Sequence, residues 1–598
     1  MSASKKNHDF EVPVLIVGGG ACGLTTSLLL SDLGVAHRLV ERHPSTSILP
    51  KAHYLNQRTM EVFRQHGLAD AIYAVGTPTA NMAKVRWRTS LGGDGPLDGK
   101  TFYEIDAFGG GKIAPTYARD SACLSCNYPQ IRLEPLLRDH AEQRAPGRLR
   151  FGHELVGFIQ DDDGVTATIK DVVKGQTYTV RAQYLIGADG GKTVGAMLGI
   201  ETSGLSGVAR IVSSHVTADL SPWWDEACLI TWFINPEGSG AFGSGAMVPM
   251  GPTWGKHSEE WIIHFSFPAE GGDSINEETV KPWLRALLKL PMPDLKVHKT
   301  SHWTLEAVLA ERYRAGRVFL AGDAAHRHPP TTGLGLNTAV QDAHNLAWKL
   351  AAVLGGQAER KLLESFEAER QPIGRRNVDW AMFTAMNHAV LDAGMGFSPL
   401  QSPAMRHASF ETFFADTPMG ATRRARAAEI FETQRTEFQA HDLEIGFCYV
   451  VGALVDDGTP APIPDPMGGK YQPSTRPGQR LPHAWLTRDG QGLSTHDLSG
   501  RSGALVLITG SDGAAWRNAA SAVAQNLGIK LVQAAIGAGQ TYADADGSWA
   551  RVREISEQGA VLVRPDNHVG WRSLGAPREG AGELEAALRA ILTRGAIG

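Results

Sequence analysis

Cysteine is scarce, with five in 598 residues. So few thiols cannot build a disulfide framework, and a reducing cytoplasm is the simplest compartment. Cys123 and Cys126 form a lone C-x-x-C in "ACLSCNYP". A structural zinc would need a second pair at similar spacing, so the two read as small apolar residues rather than a metal or redox pair. His326 and His328 have no acidic or cysteine partner at ligand spacing, so no metal is expected there. A run of about 18 apolar residues, the minimum for a membrane span, is missing. The polar start "MSASKKNHDF" and the short, glycine-rich "VPVLIVGGG" behind it do not suit a signal peptide. Basic tails and stripes are missing too: 58 Lys and Arg stand against 63 Asp and Glu, a net charge of −5. Nucleic-acid binding is therefore disfavoured. Repeats and low-complexity tracts do not occur.

What the chain does have is glycine in particular places. "VPVLIVGGGACGLTTSLLLSDLGVAHRLVERHP" reads as strand, tight turn, helix, strand. Val12 to Val17 has strand length; Leu24, Leu28 and Leu29 fall at helical spacing; Gly34 ends the helix; a second strand begins at His37. Gly18, Gly20 and Gly23 make G-x-G-x-x-G, and Glu41 follows Gly18 by 23 residues at the second strand's end. In this context the motif predicts a dinucleotide site. Gly18 permits the turn, Gly20 lets backbone approach a pyrophosphate, and Gly23 lets helix pack on strand. The amides at the helix start hold the phosphate charge. Glu41 suits a ribose 2′-OH and repels a 2′-phosphate, so the resident dinucleotide is FAD or NAD, not NADP.

A second element decides between them. "GRVFLAGDAAHRHPPTTGLGLN" is a buried strand ending in Gly–Asp, followed by a turn and the start of a helix. A nicotinamide dehydrogenase needs no such element, whereas the ribityl chain and ring of FAD need their own contacts. Asp323 suits a ribityl hydroxyl. Gly333 and Gly335, leading into Leu336 and Asn337, can place amides against the flavin's pyrimidine oxygens, and the helix start favours a reduced, anionic ring. Pro329 and Pro330 make a stiff wall. In the helix that follows, Leu336, Val340, Ala343 and Leu350 predict one apolar face, stopped at Gly355 and Gly356.

Between these elements, residues near Asp163–Gly164 predict a hairpin, and "LITWFINP", "GAMVPM" and "WIIHFSFP" predict strands of a β-rich unit. Its aromatic material is Trp232, Phe233, Phe242, Met247, Trp254 and Phe267. The stretch "PAPIPDPMGGKYQPSTRPGQRLP" reads as a linker or docking segment before a compact α/β unit. The expected architecture is α/β: a discontinuous Rossmann-like FAD-binding domain (1–205 and 301–395), a β-rich substrate domain (206–300), a helical or linker segment (396–470) and a C-terminal domain (471–598).

On the motifs "GGGACGL", "NQRTMEVFRQHGL", "YPQIRLEPLL", "LIGADGGKT", the "AGDAAHRHPP" element and "LLESFEAERQPI", the sequence resembles the single-component FAD-dependent aromatic hydroxylases, in their phenol and chlorophenol hydroxylase branch. The resemblance spans roughly the first 375 residues. It implies bound FAD, transient NADPH or NADH, O2 as cosubstrate, a small phenolic substrate, a homodimer, and ortho-hydroxylation through a flavin C4a-hydroperoxide. It implies a thioredoxin-like fold for the C-terminal unit, which has no cysteine after Cys448 and so serves support or dimer contact rather than thiol chemistry. The cofactor set it implies is Gly18, Gly20, Cys22, Gly23, Glu41, Arg42, Arg58, Gln130, Asp189, Gly190, Asp323, Pro330, Gly333, Gly335, Leu336 and Asn337. Val194–Gly195 stand where the family often carries an arginine, which leaves NADH against NADPH open. The acidic residue that activates phenol in that branch is matched by His53, a neutral base near the ordinary histidine pKa of about 6.5, with Tyr54 beside it. Removing residues after about 440 is expected to leave the flavin site intact. Two other readings stay open: a tailoring monooxygenase of polycyclic phenols or quinones, and a non-oxygenating FAD protein.

Overall fold

The computed structural model describes residues 8–236, 244–268, 270–292, 294–398, 401–579 and 581–595. Phe10–Val17 is the buried strand expected from its apolar run, and it lies parallel to His37–Glu41 on one side and Thr177–Gly187 on the other. Val318–Leu320 extends the sheet beyond Thr177–Gly187, in register Leu185 to Val318. The hairpin His153–Gln160 and Val165–Asp171 adds an antiparallel flap. Buried on both faces, the central strand reads as continuous hydrophobics rather than alternation.

Three helices cover this sheet: Ala21–Asp32, Gln130–Arg144 and Leu334–Leu354. The last differs from the amphipathic helix expected. Seventeen of its 21 residues are buried, including Asp342, Asn345 and Lys349. It runs through the middle of the molecule, so its polar face meets protein instead of water.

The chain also forms a second eight-stranded sheet. Its core strands are those expected: Cys228–Phe233, Ala246–Gly251 and Glu260–Phe267. It also takes Lys84–Arg88 and Thr101–Asp106 from the N-terminal part, and Lys296–Ala310 and His326–Arg327 from beyond residue 300. The boundaries drawn at 206 and 300 are therefore too narrow. Lys84–Arg88 alternates buried and half-buried residues, as a strand on a sheet must, and pairs in parallel with Cys228–Phe233. Only the fold brings those distant strands together. On one face Trp261, Ile263 and Phe265 pack on helix Val280–Leu288; on the other, Val248, Met250 and Ile262 share a cluster with Tyr54.

The segment after 396 contributes helices Pro403–Phe414 and Pro418–Phe431, which bury Phe410, Phe413 and Phe431 beneath that second face. The proline-rich stretch then runs extended into the interior, where Arg480 and Leu481 are buried. The C-terminal unit is a four-stranded mixed sheet flanked by helices Ala514–Leu527 and Ala581–Ile591. No described helix is long and apolar enough to cross a membrane.

Candidate active site

The glycine turn has the geometry its spacing implies. Gly18 has φ +114°, and a Cβ there would lie 2.1 Å from the carbonyl oxygen of Ala188. A Cβ on Gly23 would lie 1.9 Å from the Gly18 carbonyl oxygen. Neither position tolerates a side chain. Gly20 is less constrained, with its would-be Cβ 3.5 Å from Oε1 of Glu134. Cys22 faces the central helix and donates its thiol hydrogen to the Ala339 carbonyl at 3.6 Å. Glu41 accepts from the Gly19 amide at 2.8 Å and the His43 amide at 2.8 Å, which fixes its carboxylate at the mouth of the turn. Arg42 beside it is exposed.

Glu134, which the sequence reading did not single out, ties this corner together. Its carboxylate accepts from the Ala21 amide (3.2 Å), the Ser47 amide (2.8 Å) and the side chain of Gln130 (2.5 Å). Gln130, half-buried, is thus tied through Glu134 to the start of the first helix. The signal was present: Glu134 sits one turn beyond Gln130 on the same helix.

The second element is equally specific. Asp323 lies exposed in a short 3-10 turn after Val318–Leu320. The turn of Gly190 and Gly191 abuts it: a Cβ on Gly191 would lie 2.9 Å from the Asp323 carbonyl oxygen. Asp189 spends its carboxylate on that turn, accepting from the amides of Gly191, Thr193 and Val194 at 3.2, 2.7 and 2.8 Å. Pro330 is exposed, and Thr332 (φ +62°) and Gly333 (φ +65°) take left-handed backbone just before the central helix. A Cβ on Gly333 would press within 2.9 Å of the Tyr54 ring. Gly335 stays half-buried and Leu336 is nearly buried.

One expected cofactor contact is corrected. Arg58 is buried and turned the other way: it donates to Glu61 at 3.0 Å and to the Asp566 carbonyl of the C-terminal unit at 2.6 Å. A helix starting at Gln57 aims its second residue at the interior, where the buried Glu61 carboxylate and the Asp566 carbonyl hold the guanidinium. The Asn337 side chain is also fully used. It donates to the carbonyls of Tyr54 (3.0 Å) and Gly333 (2.6 Å) and accepts from the Asn56 amide (2.9 Å). It is a latch between the start of the central helix and the strand Tyr54–Leu55, which His53 immediately precedes.

His53 is half-buried, and its Nδ1 lies 2.8 Å from Oδ1 of Asn127. Burial pushes its pKa down to about 4, against the smaller opposing effect of that hydrogen bond. The ring is neutral, as expected, but a weaker base than free histidine. The Tyr54 hydroxyl donates to Oε1 of Glu444 at 2.7 Å and lies 3.1 Å from Ser125 Oγ. Burial and the neighbouring carboxyl raise the Tyr54 pKa well above its usual value, so it is a phenol and not a base. Glu444 in turn is pushed up to about 8 by burial. The covering sheet supplies His264, whose pKa burial holds at about 4. Trp232 packs its ring 4.3 Å from that of His388. Of the other aromatic candidates, Phe233 and Met247 are core, Trp254 donates to the Val75 carbonyl at 2.8 Å, and Phe267 packs on Trp283. Phe242 lies outside the described residues. Cys123 and Cys126 are buried free thiols whose pKa burial raises, Cys126 to about 12.

The expectation that the chain could be cut near 440 without touching the site does not hold. Glu444 meets Tyr54, Arg480 donates to Glu61 at 2.9 Å, and Arg564 donates to Glu369 at 2.8 Å.

A glycine turn closed to side chains, an acidic residue at its mouth, and a distant exposed aspartate before a left-handed helix entry define an FAD-binding site. The residues present fit that cofactor. Comparison with known proteins agrees. Residues 11–381 match the FAD binding domain family, and residues 474–595 match the aromatic-ring hydroxylase C-terminal domain. The 2,4-dichlorophenol 6-monooxygenase of Delftia acidovorans is 36% identical over 99% of this chain and 100% of its own length. The tetracenomycin A2 monooxygenase-dioxygenase of Streptomyces glaucescens is 36% identical over 98% of this chain and 97% of its own. The solved structure of the flavin-dependent monooxygenase PieE with FAD and substrate superposes with a TM-score of 0.92 at 40% identity, covering 98% of this chain and 100% of that one. The chain belongs to the FAD-dependent aromatic hydroxylases. It is a monooxygenase that uses FAD, dioxygen and a reduced nicotinamide, which sets aside the non-oxygenating alternative.

Proposed function

We propose that the enzyme hydroxylates a substituted phenol ortho to its oxygen, as a cytoplasmic homodimer, with His53 taking the phenol proton. Bound FAD, once reduced by NADH or NADPH, supplies activated dioxygen by the route expected from sequence. The chain's own residues do the rest. The glycine turn and Glu41 bind the adenosine end, and Asp323 with the helix entry at Gly333–Gly335 holds the ribityl and ring end. The observation that carries the reading is the Asn337 latch, which fixes the segment directly after His53 to the helix entry that receives the flavin ring. A phenol beside His53 therefore sits beside the flavin. Removing its proton pushes electron density to the ortho carbon, where an electrophilic oxygen attacks. Because His53 is a weak base, phenols acidified by electron-withdrawing substituents suit it best.

The test is NAD(P)H oxidation by the FAD-loaded enzyme with chloro-, alkyl- and polycyclic phenols, counting peroxide and hydroxylated product. One phenol should stimulate oxidation with product matching nucleotide consumed. His53→Ala should cut that hydroxylation by about 10²–10⁴-fold while FAD stays bound. Unchanged turnover in that variant would remove His53 from the mechanism. The similarity to polyketide hydroxylases favours a second reading, a polycyclic phenol, which coupling only with the larger members of the panel would select.

A further inference from the structure

The sheet that covers the flavin end of the site carries a second imidazole that sequence did not single out. Trp232, Ala246, His264, Ser213 and Ser301 lie side by side across five adjacent strands. Paired residues share a face of a sheet, so His264 faces the same way as Ile262, two residues earlier. Ile262 packs in the cluster that holds Tyr54. This face therefore lies over Tyr54, the residue next to His53 in the chain, and a positive charge on His53 would repel one on His264.

The hydrogen bonds behind the two rings fix which nitrogen of each carries the proton. Trp303 Nε1 can only donate, and it gives its hydrogen to Ser213 Oγ at 2.8 Å. Ser213 Oγ also lies 2.8 Å from His264 Nδ1. Having accepted from Trp303, this buried hydroxyl satisfies its own hydrogen by donating to that Nδ1. Neutral His264 then has its proton on Nε2 and presents a donor. His53 is the opposite case. Asn127 turns its amide nitrogen to Thr77 Oγ1 at 2.7 Å and its oxygen to His53 Nδ1 at 2.8 Å. His53 Nδ1 therefore donates, and Nε2 is a bare lone pair.

We propose that the substrate's phenol oxygen binds between the two rings, with His53 Nε2 accepting its proton and His264 Nε2–H donating to the phenolate oxygen that forms. This rests on the phenol hydroxylase reading above and adds a second catalytic residue to it. The O–H bond breaks and its electron pair stays on oxygen. The proton becomes the second N–H of an imidazolium on His53, and no electrons leave the pair. A weak base suffices here because the anion it creates is held by a donor already in place, and the imidazolium and phenolate stabilise each other. A donor that meets the oxygen only after ionisation strengthens as charge develops, which is the arrangement that accelerates a reaction.

The test is fluorine NMR of a fluorophenol bound to the FAD-loaded enzyme, reading its ionisation across about pH 6–9. In the unaltered enzyme the bound phenol should ionise at least about one pH unit below the free phenol. His264→Leu should lose most of that shift and weaken phenolate binding about tenfold. His264→Gln, which keeps an N–H near the same position, should retain most of it. Should the leucine variant not fold, Ser213→Ala serves: it removes the hydrogen bond that sets the His264 proton and should shrink the shift. Ionisation unchanged in His264→Leu, or in Ser213→Ala where the former is lost, overturns the role of His264 while a shift abolished by His53→Leu leaves the hydroxylase reading standing. A phenol that fails to bind, or that ionises alike in unaltered enzyme and His53→Leu, overturns the hydroxylase reading itself.

Discussion

The two ends of the central helix Leu334–Leu354 use polar residues in opposite ways. At its start Asp323 is exposed, Thr332 and Gly333 take left-handed backbone, and half-buried Gly335 leads in. Two turns along, everything polar is sealed. Glu369 accepts from Arg564 at 2.8 Å, Lys349 at 2.8 Å, Asn345 at 2.6 Å and the Ala453 amide at 2.7 Å. Arg564 also grips Asp566 at 2.6 Å, and Arg58 reaches the Asp566 carbonyl. These charges are fully buried, and Arg564 and Asp566 reach them from the C-terminal unit, Arg564 lying 195 residues beyond Glu369. Charge meant for a ligand is left at the surface beside strained backbone. Charge meant for assembly is paired within the protein and closed off, since a lone buried charge is untenable.

The sharpest way to break that contrast is at the sealed end. Glu369→Ala leaves Arg564 and Lys349 buried with half their partners. Breaking a buried pair from one side costs about 3–5 kcal/mol. Denaturant unfolding of the FAD-loaded enzyme should move by that amount, and protease should cut the C-terminal unit first. FAD affinity of the folded fraction should not change. An unfolding midpoint equal to that of the unaltered enzyme would mean the cluster holds nothing together.

Asp323→Ala is the converse. The carboxylate is exposed, so the apoprotein should lose no more than about 0.5 kcal/mol of stability. Removing a charged hydrogen bond to a ribityl hydroxyl costs about 1.5–3 kcal/mol, which raises the FAD dissociation constant roughly ten- to a hundredfold. A flavin titration by fluorescence quenching measures this. Full retention of FAD at nanomolar protein would contradict the assignment of Asp323.

The same contrast explains what could be read from the chain alone. The nucleotide turn is legible because its causes are local: φ at Gly18 and the close approach at Gly23 are set within a few residues, so the spacing carries the geometry. Asp323 and Gly333 are legible for the same reason. Arg58 was misplaced because a motif residue need not touch the ligand; the partner that claims it, Asp566, is far away in sequence. His264 gave no signal, as one histidine in "WIIHFSFP" differs from a core residue only when Ser213 and Trp303 are brought behind it. The covering sheet was half visible: its central strands alternate clearly, whereas Lys84–Arg88 joins it by a parallel pairing that no local pattern encodes.

Glu444 lies between the two extremes, a buried carboxyl with a single described partner for Oε1 and, among the described residues, none for Oε2. Burial raises its pKa to about 8 from 4.5, so between those values the folded protein keeps a proton that the unfolded chain releases. A raised folded pKa gives stability that is fully present below the unfolded value and is lost as pH rises through the folded one. The slope is at most about 1.4 kcal/mol per pH unit across that window. Glu444→Gln keeps the shape and an acceptor for Tyr54 but cannot ionise. Unfolding midpoints followed from about pH 5 to 9 should therefore fall less steeply in the variant, with the two proteins closest at the acid end. His53 and His264 act in the other direction: their folded pKa values near 4 lie below the usual 6.5, so the stability they contribute is lost as pH falls toward 4. Parallel curves for Glu444→Gln and the unaltered enzyme on the alkaline side would mean that Glu444 is already ionised in the fold, and that Tyr54 donates to a carboxylate rather than to an acid.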